Sequence, residues 1–232
     1  MKISSLYDGE TVRKKFEKVK ISTSQRDAAN VWLEKLESGE LKDEVKNYEV
    51  FRETILRDLL GYPDSKLHFE EKDVEFSYTD NRDVTHVCIE CKGTKTKDLF
   101  ARQPYEKREQ ETPVLQTWSN MGRFNPAALY GICTNYQNFV LLDQKYGSSK
   151  CHKFDFMEIR DSDEKLREFV GLFSYKELVL EKTLEGLYKV SSTRETDFTK
   201  EFYKLFHETR LMLIEAFKEK FAKDDTSSAI KY

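Results

Sequence analysis

Residues 71–92 read EKDVEFSYTDNRDVTHVCIECK, two runs of alternating apolar and polar residues on either side of the polar stretch at residues 80–83. Side chains two positions apart in a β-strand point to the same side. His86, Cys88, Glu90 and Lys92 should therefore share one face of the second run, opposite Val87, Ile89 and Cys91. The pattern predicts a β-hairpin with Glu90 and Lys92 as neighbours on its polar face.

The register of this hairpin sets which acid lies opposite Glu90. If residues 80–83 form the loop, Thr79 faces Val84, and counting back along both strands places Asp73 across from Glu90. Opposed residues of an antiparallel pair have Cβ atoms roughly 4.5–5.5 Å apart. Two carboxylates at that separation repel each other, so the arrangement requires a cation between them or a proton on one of them.

These residue types are those of a metal-dependent phosphodiesterase. Asp73 and Glu90 would hold Mg²⁺, with Mn²⁺ as a substitute, and the backbone carbonyl of Cys91 would add a third ligand. Lys92 would orient the attacking water or stabilise the negative charge of the transition state. At a strand end on the polar face, Lys92 is also expected to be replaceable without loss of the fold. The alternative is a solvated hairpin face, since 35% of the residues are charged.

Helices are predicted before and after the hairpin. Apolar residues recur with helical spacing over residues 10–60, and Gly61 followed by Pro63 should end the last of these helices. A further helix should begin at Thr112 and Pro113 and end near Gly122, because threonine caps helices well and proline is tolerated in their first turn.

The rest of the chain is predicted to supply two strands and one more helical segment. Residues 128–134 and 138–143 read as strands around a short turn. Residues 191–199 are polar and read as a linker, and residues 202–217 as a helix or a helical pair. This order of elements indicates a mixed α/β fold.

Bulk composition limits the classes of function. The 232 residues suffice for one domain with a substantial core, and four cysteines fit free thiols in a reducing cytoplasm. The start of the chain is polar and no apolar run could span a bilayer, so we expect a cytoplasmic protein that does not bind membranes. Because the net charge is −3, DNA binding would need a local basic patch. Such a patch comprises Lys92, Lys95, Lys97, Arg102, Lys107 and Arg108.

Cys88 and Cys91 have the C-x-x-C spacing of zinc and redox sites, which makes a zinc-binding protein an alternative. Positions three apart on a strand point to opposite faces, however, and no second C-x-x-C follows. The sequence also lacks nucleotide-binding glycine loops. Residues 125–128, NPAA, lack the aromatic residue with which an adenine methyltransferase stacks its target base.

Residues 71–92 resemble the Asp, then Glu-x-Lys, signature of the PD-(D/E)XK nucleases. The stretches GTKTKDLFARQ, ETPVLQTW and YGICTNYQNFVLLD, at residues 93–103, 111–118 and 130–143, resemble the amino-terminal nuclease domain of type IIG restriction-modification enzymes, which combine an endonuclease and a methyltransferase in one chain. Both ends of the chain are similar to the flanks of that domain. Lys72 stands where the signature usually has proline.

The resemblance implies a PD-(D/E)XK core with a mixed central sheet flanked by helices, acting as a Mg²⁺-dependent endonuclease on double-stranded DNA. It implies that Gln116 projects into the active site and that Glu53 could assist the metal. The implied organisation is a helical extension at residues 1–46, a nuclease core at 47–190, and a linker with the start of a helical connector at 191–232. A catalytically silent DNA-binding or interaction module of the same fold is the alternative.

The resemblance also implies covalently linked partners. The methyltransferase, which would use S-adenosylmethionine, and the target-recognition domain would follow Tyr232 in the full-length protein, so the chain is expected to be a fragment or the product of a split gene. Transient dimerisation would allow both DNA strands to be cut.

Overall fold

A seven-stranded mixed sheet lies at the centre of the first of two compact units, Met1–Tyr188 and Lys189–Tyr232. The structure is a computed structural model that describes residues 4–102 and 111–229. The sheet order is β1-β7-β6-β5-β4-β3-β2, with β1–β7 and β4–β5 parallel and the other neighbours antiparallel. The strands are β1 (Ser4–Ser5), β2 (Leu67–Glu71), β3 (Val74–Thr79), β4 (Thr85–Cys91), β5 (Tyr130–Thr134), β6 (Asn138–Asp143) and β7 (Lys150–Asp155).

Helices precede and follow these strands, which confirms the mixed α/β class. They are α1 (Gly9–Phe16), α2 (Thr23–Ser38), α3 (Tyr48–Phe51), α4 (Pro113–Met121), α5 (Asp163–Phe173) and α6 (Leu187–Ala229). Two π-helical segments occur at Arg52–Leu59, directly after α3, and at Lys176–Leu180. Short 3₁₀ turns occur at Glu40–Lys42, Val45–Asn47, Asp64–Lys66, Gln144–Tyr146, Phe156–Ile159 and Thr183–Glu185.

The helix boundaries predicted from capping residues are confirmed. The Thr112 side chain accepts a hydrogen bond from the Leu115 N–H, and Pro113 occupies the first turn of α4. Gly61, at φ +72°, follows the π-helical segment and adopts a left-handed conformation that few other residues tolerate.

The predicted β3–β4 hairpin is present, but its predicted register is wrong. The paired residues are Phe76↔Ile89, Ser77↔Cys88 and Tyr78↔Val87, with an irregularity between Tyr78 and Thr79. In addition, Asp73 is not a strand residue. It forms the tight turn between β2 and β3 together with Lys72, and both residues have positive φ. Such two-residue turns match the twist of the strands they join.

Apolar side chains pack on both faces of the sheet. The larger cluster joins one face to the amino-terminal helices and α5, with Trp32, Phe51 and Phe169 fully buried beside Ile89. The smaller cluster joins the other face to α4 and includes Cys88, Cys133, Val114 and Met121. Strand β4 is therefore covered on both sides, and its carboxyl end carries Glu90 and Lys92 towards α4 and the segment before α3.

The second unit is helical. Residues 191–199, predicted as a linker, lie within α6. Thr193 and Thr196 donate their hydroxyl groups to carbonyls one turn earlier, so these polar residues are accommodated in a helix. Residues 202–217, predicted as helical, continue the same helix with several exposed aromatic and aliphatic side chains. Within the described residues, no helix has both the length and the apolar character needed to cross a bilayer.

Candidate active site

Glu90 and Lys92 form a buried ion pair at the end of β4. Lys92 Nζ lies 3.1 Å from Glu90 Oε1, and the two side chains are 8% and 1% exposed. The predicted proximity of these residues is confirmed, and their burial argues against the alternative of a solvated hairpin face. The parallel pairing of β4 with β5 continues one residue past β4, because the Lys92 N–H donates to the Thr134 carbonyl at 2.7 Å.

Glu75, rather than Asp73, is the β3 acid beside Glu90. The paired residues of β3 and β4 end at Phe76↔Ile89, and beyond them the Glu75 carboxylate accepts the Cys91 N–H at 2.8 Å. Burial raises the pKa of Glu90, and the charge of Glu75 raises it further, whereas Lys92 lowers it. Burial also raises the pKa of Glu75, against the opposing effects of the Cys91 N–H and Lys92. The negative charge of Glu75 thus makes Glu90 harder to ionise.

Glu44 and Tyr48 complete the cluster from the other side. The Tyr48 hydroxyl lies 3.0 Å from Glu44 Oε1 and 3.2 Å from Glu75 Oε1, so its single hydrogen is shared between two carboxylates. Lys92 Nζ lies 3.7 Å from the same Glu44 oxygen. Three carboxylates therefore lie around one lysine, and a proton bound to one of them would relieve their mutual repulsion.

The backbone around Glu44 is held in place by long-range contacts. The Tyr136 hydroxyl donates to the Glu44 carbonyl at 2.6 Å, and the Thr94 N–H donates to the Leu41 carbonyl at 2.9 Å. Gly93 lies so close to the backbone of this segment that a Cβ at position 93 would be 2.2 Å from the Lys42 carbonyl oxygen. The position after Lys92 therefore requires glycine if the segment carrying Glu44 is to stay beside the ion pair.

Asn120 contacts Glu90 from α4. Its side chain is fully buried, and its Nδ2 group donates to the Asp73 carbonyl at 2.8 Å and to Glu90 Oε2 at 3.4 Å. Glu90 thus has Lys92 on one carboxylate oxygen and Asn120 on the other.

The Asp73 carboxylate points elsewhere. It forms an ion pair with Arg123 and is 66% exposed. The prediction that Asp73 faces Glu90 across the hairpin is therefore wrong, because Asp73 belongs to a turn and its side chain is not constrained by strand geometry. Its backbone carbonyl, however, lies next to Glu90 through Asn120.

Two further predicted residues have different surroundings from those expected. Glu53 forms ion pairs with Arg52 and Arg57 on an exposed helical surface, and the acid that the structure places in the cluster is Glu44. Gln116 lies partly buried on α4, where its N–H bonds the Thr112 carbonyl. Asn120, one turn further along the same face of α4, is the residue that contacts Glu90.

The structure describes only part of the predicted basic patch. Lys95, Lys97 and Arg102 are exposed in the segment that follows β4. Lys107 and Arg108 lie outside the described residues. The exposed cations therefore begin within a few residues of Lys92, on a segment that leaves the buried cluster for solvent.

The structure argues against the zinc alternative. Cys88 and Cys91 lie on an unbroken strand and pack in different apolar clusters, on opposite faces of the sheet. Burial raises the pKa of both thiols, which disfavours the thiolate form that zinc requires. Across residues 4–102 and 111–229, no group of three or more histidine, cysteine, aspartate or glutamate residues is arranged to hold a metal ion.

Three residues of the site were not predicted as site residues, and the sequence indicates them to different degrees. Glu75 was visible as a polar residue in the alternating run of β3, and Asn120 is one helical turn from Gln116. Glu44 lies outside any periodic pattern and reaches the site only through tertiary contacts with Tyr136 and Gly93.

No protein-family model matches this chain, and no curated protein or solved structure is significantly similar to it. The assignment of function therefore depends on the geometry of the site and on its sequence pattern. The fold class is mixed α/β, with a seven-stranded sheet flanked by helices.

Proposed function

We propose that the chain is a Mg²⁺-dependent endonuclease domain that hydrolyses phosphodiester bonds in double-stranded DNA. The observation that carries the proposal is the pair of acids formed by buried Glu90 and half-buried Glu75, with Lys92 beside Glu90 at the end of β4. Catalytic sites typically contain carboxylates with raised pKa values next to a positioned lysine.

The PD-(D/E)XK fold is part of this proposal. A mixed sheet flanked by helices, with Glu-x-Lys at the end of a central strand, agrees with the architecture that the sequence resemblance implies. The hairpin contributes one acid from β3 and one from β4, although the β3 acid is Glu75. The expected role of the Asp73 carboxylate thus passes to Glu75, which lies two residues further along the chain, inside β3.

The oxygen donors fit a hard divalent cation. Glu75 and Glu90 would hold it, with the Cys91 carbonyl as a further predicted ligand, and the cation would neutralise developing charge on the phosphate. Lys92 would hold the attacking water or the transition-state oxygens, using the ammonium group that Glu90 and Glu44 keep in position. Tyr48 would hold Glu44 and Glu75 in orientation through its shared hydroxyl hydrogen.

DNA would approach along the exposed cations that follow β4. Exposed Lys95, Lys97 and Arg102 would contact phosphates and would carry no base specificity by themselves. Target choice, adenine methylation with S-adenosylmethionine and any transient dimerisation would belong to a type IIG enzyme of which this chain is the nuclease domain.

Cleavage of supercoiled plasmid DNA in Mg²⁺ or Mn²⁺ tests the proposal. Lys92→Ala should lower the cleavage rate by a factor of about a hundred to a thousand, because one preorganised charge at a transition state contributes roughly 3–4 kcal/mol. Lys14→Ala, which removes an exposed lysine paired with Glu10 on α1, is the matched control and should cut at the wild-type rate. Near wild-type cleavage by Lys92→Ala would overturn the assignment of the chemistry to this hairpin.

A catalytically silent module of the same fold is the second candidate, and the closed ion-pair network around Lys92 is the observation that favours it. This reading predicts that the wild-type chain retards DNA in a gel but leaves plasmid intact at every metal concentration. Lys92→Ala would then alter stability without altering any DNA readout.

A further inference from the structure

The Asn120 amide occupies a position between two oxygen atoms. Its Nδ2 group lies 2.8 Å from the Asp73 carbonyl oxygen and 3.4 Å from Glu90 Oε2. These oxygens come from different elements, the β2–β3 turn and β4, and neither is the Glu90 oxygen that Lys92 contacts. The hydrogens of the amide thus supply partial positive charge at a point where a carboxylate and a carbonyl converge.

The other end of the same amide has no partner. Asn120 Oδ1 is buried and accepts no hydrogen bond within the described part of the chain. A buried acceptor left without a donor costs about 1–3 kcal/mol. In this orientation the Nδ2 group has hydrogen-bond acceptors, whereas Oδ1 has no donor. Amide oxygens such as Oδ1 are good ligands for hard cations.

We propose that Asn120 is a cation ligand, and that Glu90 Oε2, Asn120 Oδ1 and the Asp73 carbonyl oxygen form an oxygen-only site on the α4 side of Glu90. This inference rests on the proposed function for the presence of a divalent cation at Glu90, and it adds a position for a cation on the Oε2 side of Glu90 to the one that Glu75 and Glu90 would share. Rotation of the amide about its terminal torsion exchanges Nδ2 for Oδ1 and turns a donor group into a third oxygen. The cation replaces the partial positive charge that the amide hydrogens supply without it.

The site has the properties that Mg²⁺ and Mn²⁺ need. One carboxylate and two neutral oxygens leave further coordination positions for water and a substrate phosphate, as Mg²⁺ prefers. Lys92 stays on Glu90 Oε1 and so remains available to the reacting groups. The turn that contains Asp73 would contribute its backbone carbonyl oxygen to this site, while the Asp73 carboxylate remains paired with Arg123.

Two substitutions at Asn120 distinguish a ligand from a hydrogen-bond donor. Asn120→Asp keeps an oxygen in place and adds negative charge, but it removes the donor to Glu90 and to the Asp73 carbonyl. A ligand role predicts that this variant binds the cation as tightly as the wild type or more tightly. A donor role predicts instead that Asn120→Ala, which removes the amide without adding charge, leaves the Mn²⁺ affinity unchanged, because it only frees Glu90 Oε2 from a hydrogen bond.

Calorimetric titration of the full chain with Mn²⁺ alone provides the test. Asn120→Ala should lower the affinity roughly tenfold or more, as loss of a supporting metal-site group commonly does. Asn120→Asp should retain or raise the affinity, and Ser119→Ala, an exposed neighbour on α4, should match the wild type. If Asn120→Ala fails to fold by circular dichroism, Asn120→Ser provides a smaller oxygen-bearing replacement. Equal weakening by Asp and Ala, or no effect of either, would overturn the inference.

Parallel measurements separate this inference from the proposed function. If Glu90→Gln abolishes Mn²⁺ binding but the Asn120 variants bind normally, the ligand role fails and the metal-dependent function stands. If Asn120→Ala weakens binding, Asn120→Asp preserves it and the wild type still cuts no DNA, the cation site stands and the nuclease function fails. A wild-type chain that binds no Mn²⁺ would refute both.

Discussion

Lys92 should stabilise the fold as well as serve the chemistry, and Lys92→Met tests this directly. The substitution keeps the aliphatic length of the side chain and removes the ammonium group, which lies 3.1 Å from Glu90 Oε1. Removing one partner of a buried ion pair typically costs about 3–5 kcal/mol, because the remaining charge is left without compensation. Domains unfold with a free energy of about 5–15 kcal/mol, so the variant should still fold.

The cost should depend on pH in a definite direction. Burial and Glu75 already hold the pKa of Glu90 above its ordinary value, and Lys92 opposes them. Without Lys92 the pKa rises further, so the folded variant binds a proton that the unfolded chain, with an ordinary glutamate pKa of about 4.3, does not bind. Stability linked to that proton is fully present below the unfolded pKa and is lost as pH rises through the folded pKa.

Urea unfolding followed by circular dichroism at roughly pH 5 and roughly pH 9 measures both effects, since the difference in proton affinity appears as a slope of about 1.4 kcal/mol per pH unit for one proton. Lys92→Met should lose more stability at the higher pH. The double variant Lys92→Met with Glu90→Gln should recover most of the loss, because it removes both members of the pair. A loss below about 1 kcal/mol at both pH values, the range of an exposed pair, would refute the reasoning.

Two other substitutions test the surroundings of the pair. Glu75→Gln should lower the pKa of Glu90, because it removes the neighbouring negative charge, and a carboxyl-carbon NMR titration that shows no downward shift would count against the coupled acids. Gly93→Ala should cost roughly 1–3 kcal/mol in urea unfolding, because its Cβ would lie 2.2 Å from the Lys42 carbonyl oxygen. Gly9→Ala, where a Cβ meets nothing within 4 Å, is the control, and equal stability of the two alanine variants would contradict the close packing of this segment.

The sequence could predict the hairpin and the face of its acids but not the register. The expected pairing set Asp73 opposite Glu90, whereas continuing the observed pairs beyond Phe76↔Ile89 brings Glu75 to that level. The displacement is two residues, and a shift of two keeps every side chain on its own face whereas a shift of one would exchange the faces. An acid of β3 therefore still lies beside Glu90, although it is a different acid.

The register error has two sources of one residue each, because Thr79 pairs with Thr85 rather than Val84 and the strands are irregular between Tyr78 and Thr79. Asp80 accepts hydrogen bonds from the N–H groups of Arg82 and Val84, and the strand pairing shifts between Tyr78 and Thr79. Counting loop residues in the sequence cannot reveal such an irregularity. The irregularity depends on side-chain hydrogen bonds that several sequences can make. Glu44 was unpredictable for a related reason, since its position depends on contacts with residues far away in the sequence.

The cluster carries more negative charge than a static ion pair needs. Glu44, Glu75 and Glu90 would carry three negative charges when ionised, against the single positive charge of Lys92. A static salt bridge needs one acid, and each further buried carboxylate adds desolvation and repulsion. The structure meets this excess with shared hydrogens from Tyr48 and Asn120, which stabilise the acids without neutralising them. A divalent cation would remove the excess charge, so added Mg²⁺ should weaken the dependence of stability on pH that the acids create.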